Sequence, residues 1–475
     1  MARGIAAVQL ESEPLKSVSN GEKYPCYIGQ APIWQVDTEK WQDLAGNTMI
    51  LSSVKDMRNK LGYFRPESGS WGKECSLCMA ADYHFRIKMM GPIIVIVNKA
   101  AITVKEKEEH EILFVDGVAE IKNPYVVLNS VSITDKEKGV DYQAEYDEYG
   151  RTVKILALTE IMTANVSYQT VDTESLSFET ETLEELDFLE QTVKTVADVV
   201  SAPLWENAVA KGETVGKLLI DRIQEPLNSH WYVQTCIQLS GDTAAEAREN
   251  KKNYKDFKAK TCWPCAEKDG CIYPLSVVFI AAKQSVDSDN EGIPYESASN
   301  EVIDIDGLCT ESGGKIRIKE KDATELNNIG IATANFSMMQ WVTWGVCMSN
   351  YEETAKENIP PDKLNDVAVQ MKDYVSNVFQ ERYARQIDKP MGIRQTRDIV
   401  NDFQMYLDSL SRSGALISGT ISFDANENST ASLADGEFVF TITEANTPPG
   451  KAITGKISYS PEALEGYFDN MEGEE

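Results

Sequence analysis

Between Asp362 and Tyr459 the spacing of apolar residues changes once, and few folds accommodate that change. Leu364, Val367, Ala368, Met371, Tyr374, Val375, Val378 and Phe379 recur at three and four, which predicts an amphipathic helix from about Asp362 to Arg385. Asp388-Lys389-Pro390-Met391 breaks it. A second helix follows from Ile399, Val400, Phe403, Tyr406, Leu407 and Leu410, and Gly414 ends it. From there the period falls to two. Ala415 to Gly419 leads into Ile421 and Phe423, Asp435-Gly436 turns the chain, and Phe438, Phe440 and Ile442 alternate; beyond Pro448-Pro449 a last strand carries Ile453, Ile457 and Tyr459. Upstream, Ile329 to Thr333 reads as a strand of small residues, followed by the aromatic cluster Trp341-Val342-Thr343-Trp344-Gly345. Strand, two helices and three strands describe an α+β domain, and no catalytic group is visible in it.

The rest of the chain divides by period. Residues 1–23 alternate weakly and read as an extended arm that needs a neighbour to become ordered. Residues 24–98 give strands at Tyr24 to Ile28, Met49 to Leu51 and Ile93 to Val97, with helices around Val54 to Leu61 and Cys75 to Phe85, the first part of an α/β domain. Residues 99–172 alternate without a helical stripe and are expected to form an all-β insertion, with Glu148-Tyr149-Gly150-Arg151 as a hairpin turn. The second part of the α/β domain spans 173–305. It opens with an acidic linker, Thr173 to Glu190, leading into a helix around Leu183 to Val200. It continues with a helix near Trp205 to Ala210, strands near Leu218 to Ile220 and Trp231 to Leu239, and a helix from Thr243 to about Tyr254. Residues 306–455 are the α+β domain, and 456–475 a C-terminal arm. The predicted class is thus α/β and α+β, multidomain, with extended terminal arms.

Charge and chemistry narrow the function. The net charge is -29 and the pI near 4.6, which argues against nucleic acid as a partner, because phosphate binding needs Lys and Arg concentrated on one face. No apolar window has the length of a membrane span, and Met1 to Leu10 lacks the apolar core of a signal peptide, so synthesis in a cytoplasm is expected. The three histidines, His84, His110 and His230, sit in no recognisable constellation. Lys211 to Lys217 superficially resembles a P-loop, but it lacks the Gly spacing and has Leu218 where a magnesium-binding hydroxyl belongs. No catalytic, cofactor-binding or metal residue is assigned. Nine cysteines, an odd number, leave at least one thiol free or paired between chains. Cys75 and Cys78, and Cys262, Cys265 and Cys271, have local zinc-ligand spacing, but the two groups lie too far apart for a zinc ribbon. Buried thiols, disulfides within or between subunits, zinc and redox chemistry stay open. Of these groups Cys262 to Cys271, read as an exposed loop, is the favoured place for a disulfide.

One family shares this order of motifs. Leu326-Asn327-Asn328-Ile329-Gly330-Ile331, Trp344-Gly345, Ile387-Asp388-Lys389-Pro390-Met391, Leu410 to Gly419, Leu433-Ala434-Asp435-Gly436 and Pro448-Pro449-Gly450-Lys451-Ala452-Ile453 resemble, in that order, the C-terminal domain of contractile phage tail sheath proteins. Ile28-Gly29-Gln30-Ala31-Pro32, Leu61-Gly62-Tyr63, Leu77-Cys78 and Pro294-Tyr295-Glu296-Ser297-Ala298-Ser299-Asn300 extend the likeness upstream. After Trp344-Gly345 the family continues with Asn-Arg-Thr, whereas Val346-Cys347-Met348 stand here, so a contact of that Arg is lost or moved. The resemblance implies a non-enzymatic subunit of a virion tail, assembled in the host cytoplasm without cofactor or nucleotide. It implies hexameric rings stacked helically around a tail tube protein, and baseplate and tail terminator proteins as further partners, with no membrane insertion. The β insertion would lie outermost and the C-terminal domain would face the tube. Lys372, Arg382, Arg394 and Arg397 are the candidate tube contacts, because a hold that must be released suits solvated charges better than an apolar patch. Contraction would drive the tube through the host envelope for genome ejection. The alternatives are the sheath of a secretion or toxin-delivery machine and a zinc-binding protein.

Overall fold

The parallel pairing of Lys23–Gly29 with two partners organises the molecule: Ile93–Val97 lies on one side of it and Val196–Ser201 on the other. The structure is a computed structural model that describes residues 23–462. Nearly all of the expected N-terminal arm, and the expected C-terminal arm beyond 462, lie outside the described residues. One eight-stranded sheet takes strands from three distant parts of the chain. Its order is Thr48–Leu51, Ile93–Val97, Lys23–Gly29, Val196–Ser201, Gln234–Gln238, Ala259–Cys262, Ile331–Ser337 and Gln340–Trp344. The six inner strands are parallel, and the two outermost run antiparallel to their neighbours.

Both faces of this sheet are covered, which explains its unbroken apolar runs. Along Ile93–Val97, Ile93, Val95 and Val97 enter one core together with Tyr27, while Ile94 and Ile96 enter the other with Cys26 and Ile28. The first core lies under the helices Ser76–Asp82 and Leu275–Asp289, the second under Val215–Arg222. The strand of small residues at Ile331 belongs to this same sheet, so the C-terminal stretch is joined to the α/β body through its first strand.

Four local expectations are corrected. Val196–Ser201 is a strand where a helix was expected, because five of its six residues are buried in the sheet and its apolar spacing serves two faces at once. Val215–Arg222 is a helix where Leu218 to Ile220 suggested a strand: the Thr214 hydroxyl accepts from the Lys217 N–H and caps it. That capped turn is what Lys211 to Lys217 encode. Around Trp205 the chain forms a turn, with the indole donating to Ser76 Oγ at 3.2 Å, and Thr180–Phe188 is a 3-10 helix in place of a linker.

Within 103–172 two three-stranded antiparallel sheets enclose a separate core of Phe114, Ile121, Tyr142, Val153, Ile155 and Val166. The segment is seated on the body at Gly150, whose φ is +65°; an added Cβ would lie 1.8 Å from the Tyr63 carbonyl oxygen. Gly330 is equally constrained, with φ +73° and the Met348 carbonyl oxygen 2.4 Å from a would-be Cβ. Gly330→Ala should therefore lower stability by about 2 kcal/mol or more, read as a reduced denaturation midpoint, while an alanine at the open, exposed Gly450 should leave it unchanged.

Candidate assembly surface

The C-terminal module is a helix pair packed on a hairpin. Val367, Met371, Val375 and Val378 of Asp366–Tyr383 meet Phe403, Leu407 and Leu410 of Ile393–Ser413, and the strands Leu416–Ser422 and Thr441–Asn446 close the core. Asn365 caps the first helix by accepting from the Ala368 N–H at 2.9 Å. Gly414, with φ +87°, ends the second in the left-handed conformation that glycine adopts without strain.

The two edges of the hairpin differ. On the outer edge of Leu416–Ser422 the Gln404 amide donates to the Gly419 carbonyl at 2.9 Å and accepts from the Ile421 N–H at 3.1 Å, filling the positions a further strand would use. Since Gly419 and Ile421 point outward, Thr420 and Ser422 face the partner strand. By register, Ile442, Glu444 and Asn446 then point away from the hairpin. Among the described residues no strand pairs with that outer edge.

The expected third strand is a correction. Residues 451–460 form no strand, and Ile453, Ile457 and Tyr459 are 96%, 99% and 76% exposed. A return along the hairpin would need a tight reversal after Asn446. Instead the Thr447 N–H donates to the Ala415 carbonyl and Pro448-Pro449 hold the chain extended. The apolar residues nevertheless keep strand spacing, with 453, 457 and 459 on one face. Lys451 ties the root of this tail to the body, its ammonium 3.3 Å from Cys347 Sγ and 4.2 Å from the centre of the Tyr351 ring. A cation thus stands beside Cys347, where the resembling family carries Arg.

The module is locked to the central sheet by buried polar contacts. Lys260 lies 3.1 Å from Asp366 and donates to the Gly345 carbonyl, and Ser297 donates to Asp366 at 2.7 Å. Asn377 exchanges two hydrogen bonds with the Tyr232 backbone, each 2.9 Å. Beside them is a cleft of about 440 Å³ lined by Lys23, Asp198, Trp231, Lys283, Asp287 and Asp373 among others. Lys23 stacks over the Trp231 and Tyr374 rings, and burial pulls its pKa down to about 8. Burial pushes Asp373 up to about 6, against the opposing pull of Lys258. A carboxyl raised in this way contributes its stability below the unfolded value near 4 and loses it as pH rises through about 6. Asp373→Asn should accordingly gain stability relative to the parent between pH 5 and 8, on the order of 1 kcal/mol, in paired thermal melts.

The residues singled out in the sequence fall into three groups. Lys372 and Arg382 are tied to their own chain, Lys372 to Asp362 at 2.6 Å and Arg382 to Asp402 at 2.9 Å with its guanidinium over Tyr406. Arg394 and Arg397 are exposed on the first turns of Ile393–Ser413, close to the exposed Ile387 and Ile393. The third group is the cysteines: all nine are thiols and all are buried. The exposed loop expected for Cys262 to Cys271 is corrected, because Ala259–Cys262, Cys265–Lys268 and Cys271–Pro274 are three strands of two sheets. A bond to a neighbouring copy would need these sulfurs to leave the core. Their observed neighbours were not foreseen. Cys262 lies 3.4 Å from Cys236, and Cys265 is register partner to Cys309; only the strand pairing brings each pair together. Among the described residues no cluster of three or more His, Cys, Asp or Glu forms a metal site. His84 is packed between Tyr27 Oη at 2.7 Å and Gln284 Oε1 at 3.1 Å, and burial lowers its pKa to about 4.

Among the described residues, the outer hairpin edge and the apolar tail are thus both left without a strand partner. No family model matches the chain. The major tail sheath protein of Serratia phage KSP20 is 20% identical over 291 residues, 60% of this chain and 69% of that protein. The helical sheath of the anti-feeding prophage in its contracted state has a TM-score of 0.57 at 13% identity, covering 97% of this chain and 100% of that one. The PVC sheath of an extracellular contractile injection system, also contracted, gives 0.57 at 14% identity over 98% and 99%. The sheath tail protein of Desulfitobacterium hafniense gives 0.51 at 10%, over 93% and 100%. The chain thus has the fold of contractile sheath proteins, and the resemblance to tail sheath proteins read from its residues is borne out.

Proposed function

We propose that this chain polymerises as stacked hexameric rings around a tail tube and contracts to drive the tube through an envelope. The observation that carries this reading is the pairing left open at the C-terminus. The outer edge of Thr441–Asn446 offers backbone donors and acceptors, and 451–460 offers a segment of strand spacing whose apolar face is uncovered by any of the described residues. Donation of this tail to the hairpin of a neighbouring copy satisfies both. Residues 1–23 act as the second connector in this reading; Lys23, the described residue among them, lies against Tyr374 of the same module. Each copy then moves as a rigid block when the lattice changes, with the connectors keeping neighbours attached.

Residues 99–172 form the outermost insertion in this reading, and the C-terminal module faces the tube. Of the candidate contacts, Arg394 and Arg397 are the better placed, being exposed, with Arg394 reaching Asp398 only at 3.9 Å, whereas Lys372 and Arg382 hold close ion pairs within the chain. Reversing both charges (Arg394→Glu with Arg397→Glu) should reduce co-sedimentation with the tube about tenfold without changing the melting temperature; unchanged co-sedimentation contradicts this assignment. Whether the particle ejects a genome or delivers a toxin is a separate question. Likeness to the phage KSP20 sheath protein and to the anti-feeding prophage and PVC sheaths supports a contractile sheath of either kind; capsid genes beside this one would mark the phage, and their absence the injection machine.

Negative-stain microscopy tests the proposal directly. The full chain should form rings or tubes, whereas chains lacking Met1 to Asn20, or carrying aspartate at Ile453, Ile457 and Tyr459, should stay folded and monomeric. Normal tubes from either variant would contradict the role given to that arm.

A further inference from the structure

The hairpin formed by Ile331–Ser337 and Gln340–Trp344 ends in a turn that its own fold does not explain. Ser337 pairs with Gln340, so the turn has two central residues, Met338 and Met339, with φ of 47° and 65°. Two consecutive positive φ values define the turn that Asn-Gly forms without strain, and two methionines there accept a backbone cost. They gain no burial in return, being 94% and 88% exposed. Beneath them Phe336, itself 55% exposed, meets Trp341 edge-on at 5.3 Å. From Asn335 to Thr343 no residue is charged, in a chain of net charge -29.

Only the tip is free. The open side of Gln340–Trp344 is bonded to the preceding loop, through Asn300 to Thr343, Glu301 to Thr343 and Ile303 to Trp341. The tip also stands apart from the strand-donation surface. Ile331–Ser337 runs parallel to the other inner strands and its tip follows their C-terminal ends, whereas Lys23, Tyr232 and Gln234, which meet the C-terminal module, lie at or before the N-terminal starts.

Resting on the sheath reading above, we infer that the Met338-Met339 tip is a second assembly contact, inserted into a surface of a neighbouring copy of this chain. The charge of the chain favours this occupant. Identical copies carrying -29 each repel, so a charge-free tip is a surface through which they can approach without adding to that repulsion. Methionine is the side chain that adapts best to an irregular apolar groove. The contact is heterologous, tip to a different surface, as an open helical stack requires.

The test replaces the tip without endangering the fold. The double variant Met338→Asn with Met339→Gly supplies the residues the turn prefers, so the isolated chain should melt at or above the parent temperature, while the concentration needed for tube formation should rise about tenfold. A photo-crosslinking phenylalanine analogue at position 338 of assembled tubes should give adducts with another copy, mapped to residues outside the tip. An unchanged assembly threshold, no adduct in well-formed tubes, or an adduct only with a different protein would each overturn the inference while leaving the sheath reading standing. Failure of the parent chain itself to form rings or tubes would overturn both.

Discussion

The place of Lys23–Gly29 inside the eight-stranded sheet, third from one edge and paired on both sides, is the constraint on which the rest depends. Its neighbours come from residues 93–97 and 196–201, so it is the strand that joins the three strands of residues 23–97 to the five that follow. Between Ile93–Val97 and Val196–Ser201 the chain leaves the sheet and returns, and residues 103–172 form a separately cored pair of small sheets on the way. The same placement puts Lys23 against Tyr374, so the start of this strand meets the C-terminal module.

The block is made rigid by contacts that tolerate no partial loss. Lys260 and Asp366 are both almost fully buried, and removing one partner of such a pair costs about 3 to 5 kcal/mol because the other charge stays behind. Asn377 adds a two-way backbone contact a few turns along the same helix. The helix thus cannot slide on the sheet by small steps.

Where the sequence was legible, one element served one surface. The helices of 366–413 show a single apolar stripe and end where Gly414 and the capping Asn365 put them. The sheath motifs of 327–453 are legible for a related reason, since Gly330 and the Pro448-Pro449 pair are demanded by backbone geometry that few residues satisfy. Val196–Ser201 and Leu275–Asp289 were obscure because elements buried on several sides lose their period. The tail was misread as a third strand of its own module because its pattern is that of a strand, and pattern does not say which chain supplies the partner. Cys262 to Cys271 looked like a loop from Trp263-Pro264 and Asp269-Gly270, yet both pairs are short turns between buried strands. The edge filled by Gln404 and the Met338-Met339 turn left no mark on periodicity, as each rests on contacts or dihedral angles that appear only in the folded chain.

The central claim is that the C-terminal tail completes a sheet in another copy. Cryo-electron microscopy of tubes assembled from the purified chain measures this directly, at a resolution that traces backbone. The account predicts continuous density for residues 451–460 as an added strand along the outer edge of Thr441–Asn446 of a neighbouring copy, with Ile453, Ile457 and Tyr459 covered. A tail folded back on its own hairpin, or tubes in which that edge stays bare, would contradict it.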